Sequence, residues 1–430
     1  MTTAEDLVTM WPPSPEFWST RFRAETAGAT APVLLEHLVP ADVLGPDDVL
    51  AGLRRLRRAA AAGEQTSART RVYVGEERRD GIVDSVLSTP WDTGEEFVGW
   101  MQRLCGAERF SLVMNNLETI SHKLSAVLGE LIQSAFAGWG VPIGGCEQVA
   151  FAGNYAGTAF GVHEGYEDAF LVHLGPGVKH FYCWSGPLYR ELTGRDTPTF
   201  GDYQWLLDRG QRFDLKPGDV LFLPRRVFHV GVQDEFSISV AVPLYTYPDA
   251  RLLALSIFPQ LFELTAANNV APSPMHPLAA GPIPVSDGLT EIAGDLLASV
   301  TGSLAGHVRE KIEQRWYTLL SNGGWESVEH DLARADAARD AAEALATGAT
   351  RMRVVPPFGL HTIEIDEGRS ISGTLRGMTL TIRESPHWGR VLTALADGVT
   401  VEITDALRDS TLSDLLETGG IQILTNIGSR

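Results

Sequence analysis

Apolar positions in the first hundred residues recur three and four apart. "SPEFW" (14–18) and "TPWDTGEEFVGWMQRL" (89–104) each put a capping residue ahead of such spacing, so helices are expected there. "RFSLVMNN" then reads as a strand, and "ETISHKLSAVLGELIQSAFAGWG" as an amphipathic helix that stops at Gly140. From about Gly145 the texture changes to short apolar runs broken by glycine and proline: "QVAFAGNY", "AFLVHL", "KHFYCW", "DVLFLP" and "SISVAVPLY". That pattern predicts an antiparallel barrel or sandwich. Helical spacing returns between Asp249 and about Ala346, interrupted by the proline-rich loop "NNVAPSPMHPLAAGPIPVSDG". The tail from about Thr350 alternates short strands with helices, and a winged-helix-like module is expected.

Composition narrows the partners. With 35 Lys and Arg against 54 Asp and Glu, the formal charge of the 430-residue chain is -19. Such a surface repels nucleic acid, whose binding depends on neutralising phosphates. The one basic cluster, Arg54, Arg55, Arg57 and Arg58 in "LRRLRRAAAAG", reads more simply as a solvated helix face than as a phosphate-binding patch. No run is long and apolar enough for a membrane span, and "MTTAEDLVTMWPPSPEFW" lacks the pattern of a secretory signal. Cys105, Cys146 and Cys183 are odd in number and form no CxxC, which fits a reducing cytoplasm. A cytoplasmic protein is therefore expected.

Two segments of the barrel region carry candidate chemistry. The first is "GVHEGYEDAFLVHLGPGVKHFYCW" (161–184), with His163 and Lys179. The second is "FDLKPGDVLFLPRRVFHVGVQDEFSISVAV" (213–242), where the Pro217-Gly218-Asp219 turn feeds an apolar strand and His229 follows. Two imidazoles and a carboxylate on one face leave open positions on iron. His173 and His180 lie on neighbouring strands and read as structural, and Cys183 as a small buried hydrophobe.

In these motifs the chain resembles the JmjC-type cupin-fold oxygenases, particularly the bacterial branch that includes ribosomal-protein hydroxylases. The resemblance implies an α+β fold: a double-stranded β-helix (cupin or jelly-roll) barrel with N-terminal helices, a helical dimerisation segment and a C-terminal winged-helix-like unit. The expected divisions are residues 1–248, 249–348 and 349–430. It implies iron(II) on His163 and His229, and Lys179 gripping the distal carboxylate of 2-oxoglutarate, since that charge is costly to bury unpaired. Asn154, Tyr155 and Thr158 fall where the family places polar groups near the cosubstrate, and Ser237 and Ser239 are expected on the far wall. A homodimer acting on a peptide or protein side chain is the implied assembly and substrate class.

The chain departs from the family at Gly165, where the metal carboxylate is expected. The ligand is then displaced to Glu164, Glu167 or Asp168, or the centre has two histidines only, or the metal site is lost. Alternation along an extended strand turns Glu164 away from His163, whereas Glu167 or Asp168 can curl back after the glycine, and Glu167 is taken as the candidate. A two-histidine centre admits halogenation as well as hydroxylation. A lost site implies a non-catalytic peptide-binding protein, and a ligand-sensing winged-helix regulator is a further alternative.

Overall fold

A computed structural model describes residues 11–260 and 304–424, apart from 92–93, 159, 247, 366–369 and 384–385, together with 294, 297 and 298. The proline-rich loop at 268–288 lies outside the described residues. Two compact units divide the chain: Met1–Thr246 with Thr318–Arg430, and Tyr247–Tyr317. In the second unit Asp249–Leu252 is helical, as its spacing predicts.

The first unit is built on one antiparallel sheet of eleven strands. These are β1 (Val33–Leu35), β2 (Arg69–Val74), β3 (Glu77–Arg78), β4 (Ser111–Asn115), β5 (Val149–Tyr155), β6 (His163–Glu164), β7 (Asp168–Pro176), β8 (Lys179–Trp184), β9 (Gln211–Leu215), β10 (Val220–Leu223) and β11 (Phe228–Leu244). β11 is the strand that makes a barrel of them. Its first part pairs with β6 and β8, and its second part with β5 and β7. Between Gln233 and Ser237 its register against β5 shifts, so the strand bends there and passes from one wall to the other.

Alternation assigns the two faces of β7. Phe170 packs outward against Trp18 and Phe22 of the N-terminal helical run, with ring centroids 5.4 and 6.0 Å apart, while Ala169 and Leu171 face a cavity inside the barrel. Ser14 caps the first helix by accepting from the Phe17 amide, and the helix His122–Trp139 starts at a Ser121 cap and ends at Gly140, as its sequence predicts. The Pro-Gly-Asp turn also forms. Gly218 takes φ +91°, and Asp219 accepts from the amides of Lys216 and His37, each at 2.8 Å.

Beyond Thr318, helix Leu332–Ala346 precedes two three-stranded sheets. One joins β12 (Arg351–Val354), β16 (Val401–Glu402) and β17 (Ile421–Leu424); the other joins β13 (His361–Ile365), β14 (Ser370–Leu375) and β15 (Met378–Arg383). With helices Pro386–Ala396 and Ser410–Glu417 they enclose a core of their own, including Met352, Trp388, Leu392 and Leu415.

Candidate active site

His163 on β6 and His229 on β11 are direct cross-strand partners, and their ring centroids lie 4.4 Å apart. Each ring is turned by its own backbone. His163 Nδ1 donates to the Gly161 carbonyl and His229 Nδ1 to the Val227 carbonyl, both at 3.0 Å. A carbonyl only accepts, so each Nδ1 carries the proton and each Nε2 keeps its lone pair, the arrangement a metal ligand needs. Burial lowers the proton affinity of both rings; His229, with His163 beside it, is pushed down to about 3. Phe181 stacks on His229 at 5.4 Å, and Phe160 meets His163 edge-on at 5.7 Å.

Both histidines line a cavity of about 290 Å³ inside the barrel. Near the bend of β11 the same cavity reaches Lys179, which is 2% exposed. Its Nζ donates to Tyr155 Oη at 2.8 Å and to Gln233 Oε1 at 3.1 Å. Among the described residues no carboxylate pairs with it, and burial holds its amine down at about 7. Gln233 is fixed in turn: Ser237 Oγ donates to its Oε1, and its Nε2 donates to the carbonyls of Gly153 and Ser237. Gly231 leaves the room for this lysine, since a Cβ there would stand 2.9 Å from Lys179 Cε.

The expected site residues divide. His163, His229, Lys179, Tyr155, Thr158 and Glu167 all line the cavity. Asn154 does not: alternation on β5 sends Phe151 and Tyr155 inward and Asn154 out, where it ties to the Glu108 carbonyl and the Phe110 amide. Ser237 and Ser239 are absent from the lining too. Ser237 holds Gln233, and Ser239 bonds His173 Nδ1 at 2.9 Å, so both serve the packing behind the site. His173 is buried between Ser239 and the Gly177 carbonyl, and His180 pairs with Asp214 at 2.6 Å, leaving both structural.

Among the described residues no set of three His, Cys, Asp or Glu side chains is placed to hold a metal, so Glu167 is not gathered with the histidine pair. Glu164 is paired across from Phe228, on the face opposite the histidines, where Phe228 stacks on Tyr189 at 3.7 Å. Asp168 is occupied by the Arg225 amide and guanidinium, each at 2.8 Å. Gly165 itself is clamped beside the pair: its amide donates to Val227 and its carbonyl accepts from Arg226. A Cβ at this position would lie 3.1 Å from His229 Cε1, so the position faces the pair but offers no ligand.

Gln233, Arg225 and the Phe181 stack carried no motif in the sequence; only the folded register reveals them. The basic cluster is largely committed inside the molecule. Arg55 pairs with Asp336 and Glu64, Arg57 donates to the Val86 and Thr89 carbonyls, and Arg54 lies 4.1 Å over Trp91.

Residues 146–252, which contain the histidine pair and the lysine, match the family model described as JmjC domain. The fold of the chain is similar to the X-ray structure of ycfD from E. coli, at TM-score 0.51 and 17% identity over 97% of this chain and 99% of that one. A crystal structure described as Escherichia coli ribosomal oxygenase YcfD gives 0.49 and 15% over 94% and 98%. Another, described as YcfD in complex with cobalt and 2-oxoglutarate, gives 0.48 and 16% over 91% and 94%. No curated protein matches the chain.

Proposed function

We propose that this protein is an iron(II)- and 2-oxoglutarate-dependent oxygenase that hydroxylates a side chain of a peptide or protein. One observation carries the reading. Two imidazoles with free Nε2 atoms share a cavity with a buried lysine that has only neutral hydrogen-bond partners. A buried cation without a counterion is costly, and the cost is relieved when a ligand brings an anion.

The side chains have separate roles. His163 and His229 would hold iron(II) through Nε2, with their tautomers fixed by Gly161 and Val227. Lys179 would take the distal carboxylate of 2-oxoglutarate, with Tyr155 holding the amine and Thr158 lining the same end. When bound, iron(II) and 2-oxoglutarate supply the oxidising chemistry. Phe160 and Phe181 exclude water around the imidazoles. A dimer formed through 249–348, a winged-helix role for the tail and a cytoplasmic setting complete the reading.

An anaerobic titration with iron(II) and then 2-oxoglutarate, followed by visible absorption, tests it. A weak charge-transfer band that needs both additions and disappears in His163→Ala and His229→Ala is expected. Its absence in the unmodified protein would defeat the assignment.

Gly165 favours one second reading, a two-histidine iron halogenase in which the space facing His229 takes a halide. Its signature is a product that changes with chloride concentration. Gly165→Asp should abolish that dependence and tighten metal binding in calorimetry. A product indifferent to chloride leaves hydroxylation.

A further inference from the structure

The cavity is not uniform along its length, and its polar groups lie in separate zones. At the bend of β11 stand Lys179, Tyr155 and Thr158. His163 and His229 come next, and Glu164 to Glu167 form the mouth, where Tyr166 is 77% exposed. Across from the histidines the wall is carbon only: Ala169, Leu171, Leu223, Ala241 and Pro243. Strand pairing makes this wall continuous, since Ala169 sits between Leu223 and Pro243, and Leu171 beside Ala241.

We infer that the side chain entering this cavity to be modified is apolar, of the leucine, isoleucine, valine or phenylalanine class, and not basic. The inference rests on the oxygenase reading, which places 2-oxoglutarate at the Lys179 end and so leaves the outer, apolar part for the substrate. A guanidinium or ammonium stopped there would lose its water and face hydrocarbon on the β7–β10–β11 side. The carboxylates nearest the opening do not offset this cost. Asp168 is paired with Arg225, and Glu164 and Glu167, which line the cavity, belong to β6 and the turn after it and not to the β7–β10–β11 wall. An aliphatic side chain instead gains by leaving water against those five residues. The exposed Tyr166 ring at the mouth extends the apolar surface toward the flanking peptide.

The test uses the full chain, loaded anaerobically with iron(II) and 2-oxoglutarate so that no turnover occurs. Two end-blocked pentapeptides, Gly-Gly-Leu-Gly-Gly and Gly-Gly-Arg-Gly-Gly, are titrated in separate calorimetric runs. The leucine peptide should bind roughly tenfold or more tighter, the scale expected for one buried aliphatic side chain. Ala169→Asp should erase or reverse that preference. Equal binding, tighter binding of the arginine peptide, or no binding of either overturns the inference. Failure to load iron(II) and 2-oxoglutarate would instead strike the oxygenase reading. The same peptide pair on the unloaded protein then still decides the cavity's preference.

Discussion

Lys179 spends its hydrogen bonds on a phenol and an amide, neither of which neutralises its charge. Burial holds its amine down at about 7. A carboxylate placed beside it favours the charged form and raises that value. The sign follows directly: above pH 7, binding 2-oxoglutarate draws a proton onto Lys179, and affinity falls as pH rises. Calorimetry in two buffers of different ionisation enthalpy should register uptake approaching one proton near pH 8. Lys179→Ala should remove the uptake and weaken binding by on the order of 100-fold, as expected for a lost charge-assisted contact. Unchanged affinity in that variant would place the cosubstrate elsewhere.

At the scale of elements, β8 and β11 meet at the Lys179 end of the cavity. Gly231→Ala would set a methyl 2.9 Å from Lys179 Cε and 3.3 Å from the Phe181 ring. Overpacking of this kind typically costs about 1–3 kcal/mol. The expected result is a lowered melting temperature together with loss of 2-oxoglutarate affinity, while cobalt(II) binding at the histidines is kept. If affinity for both ligands fell equally, the damage would be to the barrel as a whole.

The same elements mark how far the sequence could be read. β5, β7, β8, β10 and the second half of β11 are apolar runs between turn residues, and each forms where its pattern predicts. The Pro-Gly-Asp turn was legible for the same reason, whereas His163, His229 and Lys179 stood out through the family resemblance, and the fold brings them to one cavity. β2 ("RTRVYV"), β9 ("QRFDL") and the first half of β11 were not, since their polar residues make sense only once a partner strand is paired. Asn154 shows a different limit. Its position in the sequence was suggestive, but whether it faced the cavity depended on a strand phase that one residue reverses. Ser237 and Ser239 lie past a bulge that no hydrophobic pattern announces.

Across the whole molecule, the tail is tied to the barrel within the first unit by a few buried contacts. Trp325 is 1% exposed, donates Nε1 to the Ser125 carbonyl at 3.0 Å and belongs to the barrel's core cluster. Arg376 reaches from the tail to His122 and to the Gly419 carbonyl, over the face of Phe358. Trp325→Ala should cost about 3–5 kcal/mol, the range for emptying a large core site. Denaturant unfolding should then show the barrel and tail losing stability together; a tail transition that separates while the barrel's midpoint holds would mean their cores fold independently.

The path of β11 has a consequence for how the site is loaded. One unbroken strand carries His229 on one wall and Ala241 on the other, and is hydrogen-bonded to neighbours along both halves. The two walls therefore share one paired backbone, and entry past the exposed Tyr166 turn is the expected route. Deuterium exchange should then reach the Tyr166 amide, in the exposed turn after Gly165, long before the paired amides of β11.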